Sequence, residues 1–179
     1  MDPMVPAIAD DENLPAPQGM MEVATTRSAQ EVQAMVVMAK KFPRNQVVAE
    51  KRILDACKRK GLAEVSQYSF NKGGLVEGPS IRLAEVMAQN WGNLDYGVTE
   101  LERKDGVSTM MAYCWDIETN VRRSQVFTVR HWRDTKGGGY RLKDERDVYE
   151  VTANQGSRRV RACILAVIPG DIVDAAIAQ

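Results

Sequence analysis

VRRSQVFTVRHW (residues 121–132), RDTKGGGYRLKDE (133–145) and the run that follows to Ile168 decide how this chain is read. The first piece is strand-like and the second a glycine-rich loop. The third is a helix carrying Ser157-Arg158-Arg159-Val160-Arg161. Basic residues crowd here although the formal net charge of the chain is zero: residues 120–161 hold eleven Lys/Arg against five Asp/Glu. Residues 1–31 run the other way, with six acids against Arg27 alone. A charge split of this kind implies a polyanion partner for one part of the chain.

Working outward, the hydrophobic period upstream of residue 121 is close to 2. Leu94, Tyr96 and Val98 alternate with polar residues, and Asp105-Gly106 is a short hairpin signal. Val107, Thr109, Met111, Tyr113, Trp115 and Ile117 then hold one face of a long strand. Thr119-Asn120 turns the chain into a third strand, Val121–Trp132, which completes a three-stranded antiparallel meander. After the loop at 133–144, a helix from Glu145 to Ile168 buries Tyr149, Ala153, Gly156, Val160, Ile164 and Val167. Gly156 costs roughly 1 kcal/mol against Ala in a helix, so close packing on the sheet is its expected use. Pro169-Gly170 ends this helix, and Asp171 caps a short final one.

Upstream of the meander the period is helical. Ser28 and Glu31 form a capping box, and Val32, Met35, Val36 and Ala39 make a stripe that Pro43 stops. Asn45 caps a second helix with Ile53, Leu54 and Cys57 inward, closed by Lys58-Arg59-Lys60-Gly61. Residues 64–70 read as a strand and Asn71-Lys72-Gly73-Gly74 as a turn. Gly78-Pro79-Ser80 opens the helix IRLAEVMAQNW, with Pro79 in its first turn and Ile81, Ala84, Met87 and Ala88 inward. The fold class is therefore α+β: N-terminal helices, then the meander packed on a long basic C-terminal helix. Residues 1–24, acidic and rich in Pro and Met, are expected to be a disordered tail, and 25–179 a single domain.

The residues exclude several chemistries. There is one histidine, and the three cysteines lack metal-ligand or CxxC spacing, so they read as buried reduced thiols. No run of about 20 apolar residues is present to span a membrane. Gly137-Gly138-Gly139 lacks the surroundings of a phosphate loop and reads as a hinge. Asp144, Glu145, Asp147 and Glu150 could serve a metal-dependent nuclease but sit more simply at a helix N-terminus, where acids complement the dipole. Binding remains. Arg158, Arg159 and Arg161 have no acid three or four residues away, and Trp132 stands among Arg130, His131 and Arg133 as a ring on which a base could stack. The competing class is a structural or assembly protein whose arginines meet acidic neighbours.

The stretch from GPSIRLAEVMAQNWGNLDYG through VRRSQVFTVRHWRDT to DVYEVTANQGSRRVRACILAVIPGDIVDAA resembles the single-strand annealing recombinases of phages. These are the Red-beta, RecT and Erf type proteins, which share a core with the eukaryotic Rad-type mediator. The likeness covers about residues 64–178, by order of elements and by the arginine-rich helix. It implies an ATP-independent, non-enzymatic protein of the bacterial host cytoplasm. Such a protein would coat single-stranded DNA and anneal it to its complement as a ring or filament, without cofactor or metal. It also implies a groove using Arg122, Arg123, Arg130 and Arg133 from the third strand, Lys136 and Arg141 from the loop, and Arg158, Arg159 and Arg161 from the helix, with Lys72 as a further candidate. A phage exonuclease or a host single-strand-binding protein is the implied partner. Such proteins often continue into a recruiting C-terminal segment beyond where Gln179 ends; the chain is then a truncated core, or recruitment lies in the acidic tail.

Overall fold

The computed structural model describes residues 18–71, 75–135 and 137–179, and the chain divides between Met38 and Ala39 into two units. Most of the first is helix α1 (Gln18–Lys41). It starts inside the stretch expected to be disordered: Pro17 is the last helix breaker of the tail, and nothing from Met20 onward opposes a helix. Because α1 runs through Ser28, the expected capping box caps nothing, and Glu31 instead pairs with Arg27 one turn back at 2.9 Å. Residues 1–17 lie outside the described residues.

The second unit begins with helix α2 (Gln46–Cys57), whose cap is the expected one: the Asn45 side chain accepts from the Val48 N–H at 3.1 Å. A short helix α3 (Lys60–Ala63) follows, so Gly61 continues a helix instead of closing one. Strands β1 (Gln67–Asn71) and β2 (Leu75–Pro79) then pair antiparallel. Strand β2 has no counterpart in the sequence reading. Pro79 ends it, and Ser80 is the N-cap of α4 (Ile81–Trp91), accepting from the Leu83 N–H at 3.2 Å. Gly92, at φ +77, closes α4.

The meander is present in the expected order, as β3 (Leu94–Lys104), β4 (Val107–Asp116) and β5 (Val121–Arg130). Asp105 and Gly106 both take positive φ, the two-residue turn that suits the twist of a hairpin. Alternation along β4 is strict, but the buried side is Ser108, Met110, Ala112, Cys114 and Asp116. The apolar set Val107, Thr109, Met111, Tyr113 and Trp115 lies half-buried on the other side. Small residues win the core because a helix comes close: the Cys163 thiol lies 3.7 Å from the Ala112 carbonyl.

That helix is α5 (Glu145–Leu165), N-capped by the Asp144 side chain at 2.8 Å from the Arg146 N–H. Its buried line is Val148, Thr152, Gly156, Val160, Cys163 and Ile164, so the expected face is rotated in the first half, and Tyr149 is 68% exposed. Thr152 tolerates burial because its hydroxyl donates to the Val148 and Tyr149 carbonyls. A side chain on Gly156 would meet Val98 of β3 at 3.0 Å, which is the close packing expected of it. Helix α6 (Gly170–Ile177) closes the core with Ile172, Val173 and Ala176, and Pro169, not Asp171, is its N-cap. No helix among the described residues is long and apolar enough to cross a membrane.

Candidate nucleic-acid interface

Strand β5 is one edge of the sheet, and α5 lies across the buried face of the sheet, running opposite to β5. Gln155 shares a cavity with Arg130, whereas Arg159, one turn further on, stacks on Phe127, 4.3 Å from its centroid. A seam therefore runs along the β5 edge. Neither wall of it carries a carboxylate: β5 has none, and α5 has none from Val151 to Leu165. Arg123 enters from the strand, in register with buried Cys114 and hence on the side of α5. Arg158, exposed, and Arg159, half-buried, enter from the helix. Arg159 is held by the Gln155 side chain at 2.8 Å.

At the end of the seam the chain departs from expectation. β5 stops at Arg130, and the supposed loop is a second hairpin, β6 (Trp132–Thr135) with β7 (Gly138–Arg141). The three glycines hid it, since Gly139 has no side chain to show a strand period. It has none because the Trp132 indole lies on it, where any Cβ would collide. Gly138 and Gly139 are strand residues, not a hinge. A cleft of about 600 Å³ separates the hairpin from the end of β5 and from Val151 and Gln155 of α5. It brings together Arg130, Trp132 and Arg141, along with Asp105 and Asp134. Trp132 is 45% exposed and donates to Asp134 at 3.0 Å. A neighbouring cavity of about 320 Å³ joins Trp132 to Arg133 and Arg158.

The expected set is thus only partly assembled. Arg122 lies on the far side of the sheet, 5.6 Å from the centroid of Tyr113, and does not face α5. Alternation in a strand sends neighbours to opposite faces, so Arg122 and Arg123 could not share one groove, and Arg130, opposite Val107, falls on the Arg122 side. Arg133 is bonded to Asp147 at 3.1 Å; Tyr140 first, and Asp147 with it, hold its guanidinium above the usual arginine range. Arg161 turns away to Tyr68, 4.4 Å from its centroid. Lys72 and Lys136 lie outside the described residues. Among those described, Arg122, Arg123, Arg130, Arg141, Arg158, Arg159 and Arg161 have no carboxylate within ion-pair distance.

The acids at the start of α5 are occupied. Asp144 caps the helix, Glu145 meets Arg103 at 2.5 Å, Asp147 meets Arg133, and Glu150 meets Arg146 at 3.3 Å. His131 is buried, with Nε2 2.7 Å from the Ser108 hydroxyl. The Glu100 carboxyl nearby is held below its usual range, by Arg103 first and by Ser108 next. Ser108, which the β4–β5 register sets opposite Val129, two residues from His131, gave no signal in the sequence.

Arg44 is a further functional-looking cation that nothing in its sequence neighbourhood marks. Its side chain and that of Asp116 are 3% and 4% exposed and meet in two hydrogen bonds of 2.7 and 2.9 Å. No family model matches this chain, and neither a curated protein nor a solved structure matches it.

Proposed function

We propose that this chain binds single-stranded DNA along the β5–α5 seam and anneals it to a complementary strand without ATP. The observation that supports this most directly is that the two walls of the seam hold arginines and no carboxylate, so their cations are left for an external anion. Phosphates would follow Arg123, Arg158 and Arg159 and reach Arg141 at the cleft, where Trp132 offers a ring for one base. Sequence would be tested by base pairing between strands and not by side chains, and side-by-side subunits in a ring or filament would make binding cooperative.

Arg123 and Arg158 are exposed and make no ion pair among the described residues, so their removal tests the reading with little effect on the fold. Single strands lose about 0.7 of a unit of salt slope per phosphate contact. In a fluorescence anisotropy titration with labelled oligothymidylate, Arg123→Ala with Arg158→Ala should weaken binding at least tenfold at low salt and flatten the slope by about 1.4. Arg133→Ala, whose cation is already paired with Asp147, should change the slope much less. Equal affinity and slope for the double variant and the parent would overturn the reading.

A further inference from the structure

The sheet has a second face, opposite α5, that the seam does not use. In register across it stand Asp95, Trp115 and Arg122; then Gly97, Tyr113 and Ser124; then Thr99, Met111 and Val126. Val126 is 65% exposed and Arg122 is exposed, so the β5 side of this face is open. Tyr113 lies across β3 because Gly97 has no side chain: a Cβ there would be 3.3 Å from its hydroxyl oxygen. That hydroxyl donates to Asp95 at 3.4 Å, which keeps the ring down along the strands. The Trp115 indole is fixed similarly, donating to Asn120 at 3.0 Å.

Two rings are therefore anchored by their polar tips side by side on one face. Around the two rings, charge is distributed across that face in one direction. On the β3 side stand Asp95 and, beyond Thr99, Glu102, and on the β5 side stands Arg122; past the rings Lys104 and Arg130 flank Val107. An occupant must be flat and apolar in its middle and anionic along one margin only. A nucleic-acid strand with unpaired bases has that character, whereas an acidic peptide has no aromatic plane for every residue.

We infer that this face is a second site for single-stranded nucleic acid, with bases stacked on Tyr113 and Trp115 and the backbone along Arg122. The inference rests on the reading of the seam and extends it: one subunit holds two strands at once, on opposite faces of one sheet. Annealing requires two strands to be brought together, and this arrangement supplies the second from the same molecule.

Trp115 reports on the site directly. Trp91 is 3% exposed, so in the full chain carrying Trp132→Phe the quenchable indole fluorescence is that of Trp115. Oligothymidylate should quench it, and the quenching should persist in Trp132→Phe combined with Arg123→Ala and Arg158→Ala. A capture assay reads the second strand: with one oligothymidylate immobilised, the protein should retain a second, labelled, non-complementary one. Tyr113→Leu with Trp115→Leu should reduce that retention about tenfold or more, since each stacked base is worth a factor of that order, and should leave first-strand binding through the seam in place. Unquenched Trp115 with first-strand binding intact overturns the second site and spares the seam. Quenching with a seam variant that binds normally removes the seam and spares the second site. Retention lost together with a change in sedimentation of the DNA-free protein would show a protein contact on this face and would also overturn the inference.

Discussion

Asp116 is a charged side chain on the buried side of a strand, in phase with Cys114 and Ala112, and a single partner makes that tolerable. Arg44 supplies two hydrogen bonds, stacks 4.5 Å from the centroid of Trp91 and donates to the Gly92 carbonyl at 3.0 Å. The Glu118 and Thr119 N–H groups add to the carboxylate at 3.0 and 3.2 Å. Burial pushes the Asp116 carboxyl up, but the Arg44 and backbone hydrogen bonds together outweigh it, and the carboxyl sits below its usual range. Leaving either charge alone in this site costs about 3–5 kcal/mol. Urea denaturation at neutral pH should show Asp116→Ala destabilised by that order. A group with a lowered folded pKa contributes its stability above the unfolded value, near 3.8, and loses it as pH falls through the folded value. Stability of the parent should therefore fall below about pH 4 more steeply than that of Asp116→Asn. Parallel curves would remove Asp116 from the acid response.

Helix α5 does two jobs with similar residues, and its arginines divide accordingly. Arg161 lies against Tyr68 and Arg159 against Phe127, so each covers an aromatic ring with its planar guanidinium. Arg158 is exposed and touches no ring or carboxylate among the described residues. Cation–π contacts of partly buried pairs contribute about 0.5–2 kcal/mol, while an exposed side chain without partners contributes within about 0.5 kcal/mol. Thermal unfolding should thus show Arg161→Ala and Arg159→Ala less stable than the parent by roughly 1 kcal/mol each, and Arg158→Ala unchanged. If Arg158→Ala proved the most destabilising of the three, the assignment of these faces would be wrong. The same reasoning explains why a helix with three clustered arginines contributes one fully exposed cation to the seam.

At the scale of the molecule, the core closes over all three thiols. Cys57, Cys114 and Cys163 are free and buried, and burial raises each above the usual thiol range, Cys114 to about 12. A thiol reagent reacts with the thiolate, so access and ionisation both require opening of the core. Labelling with a colourimetric disulfide reagent at pH 8 should proceed at the rate of unfolding, and in urea all three cysteines should react at once. Fast labelling of Cys163 under native conditions would mean that α5 separates from the sheet without global unfolding.

What the residue pattern determined by itself was local: the order of the longer helices and the three meander strands, the Asp105-Gly106 hairpin, the Asn45 cap and the close approach at Gly156. Each depends on a periodicity or a conformational preference that neighbouring residues set. The rest depended on partners distant in sequence. Which side of β4 is buried was decided by α5 coming close enough to require Ala112 and Cys114. The β6–β7 hairpin was hidden because its glycines make room for Trp132. The eight described arginines read as one groove were divided between two faces of a sheet, a second hairpin, an exposed helix position, an ion pair with Asp147 and two aromatic rings. A count of charges carries no direction, and direction is assigned only when strands take their register and a helix chooses the face on which it lies.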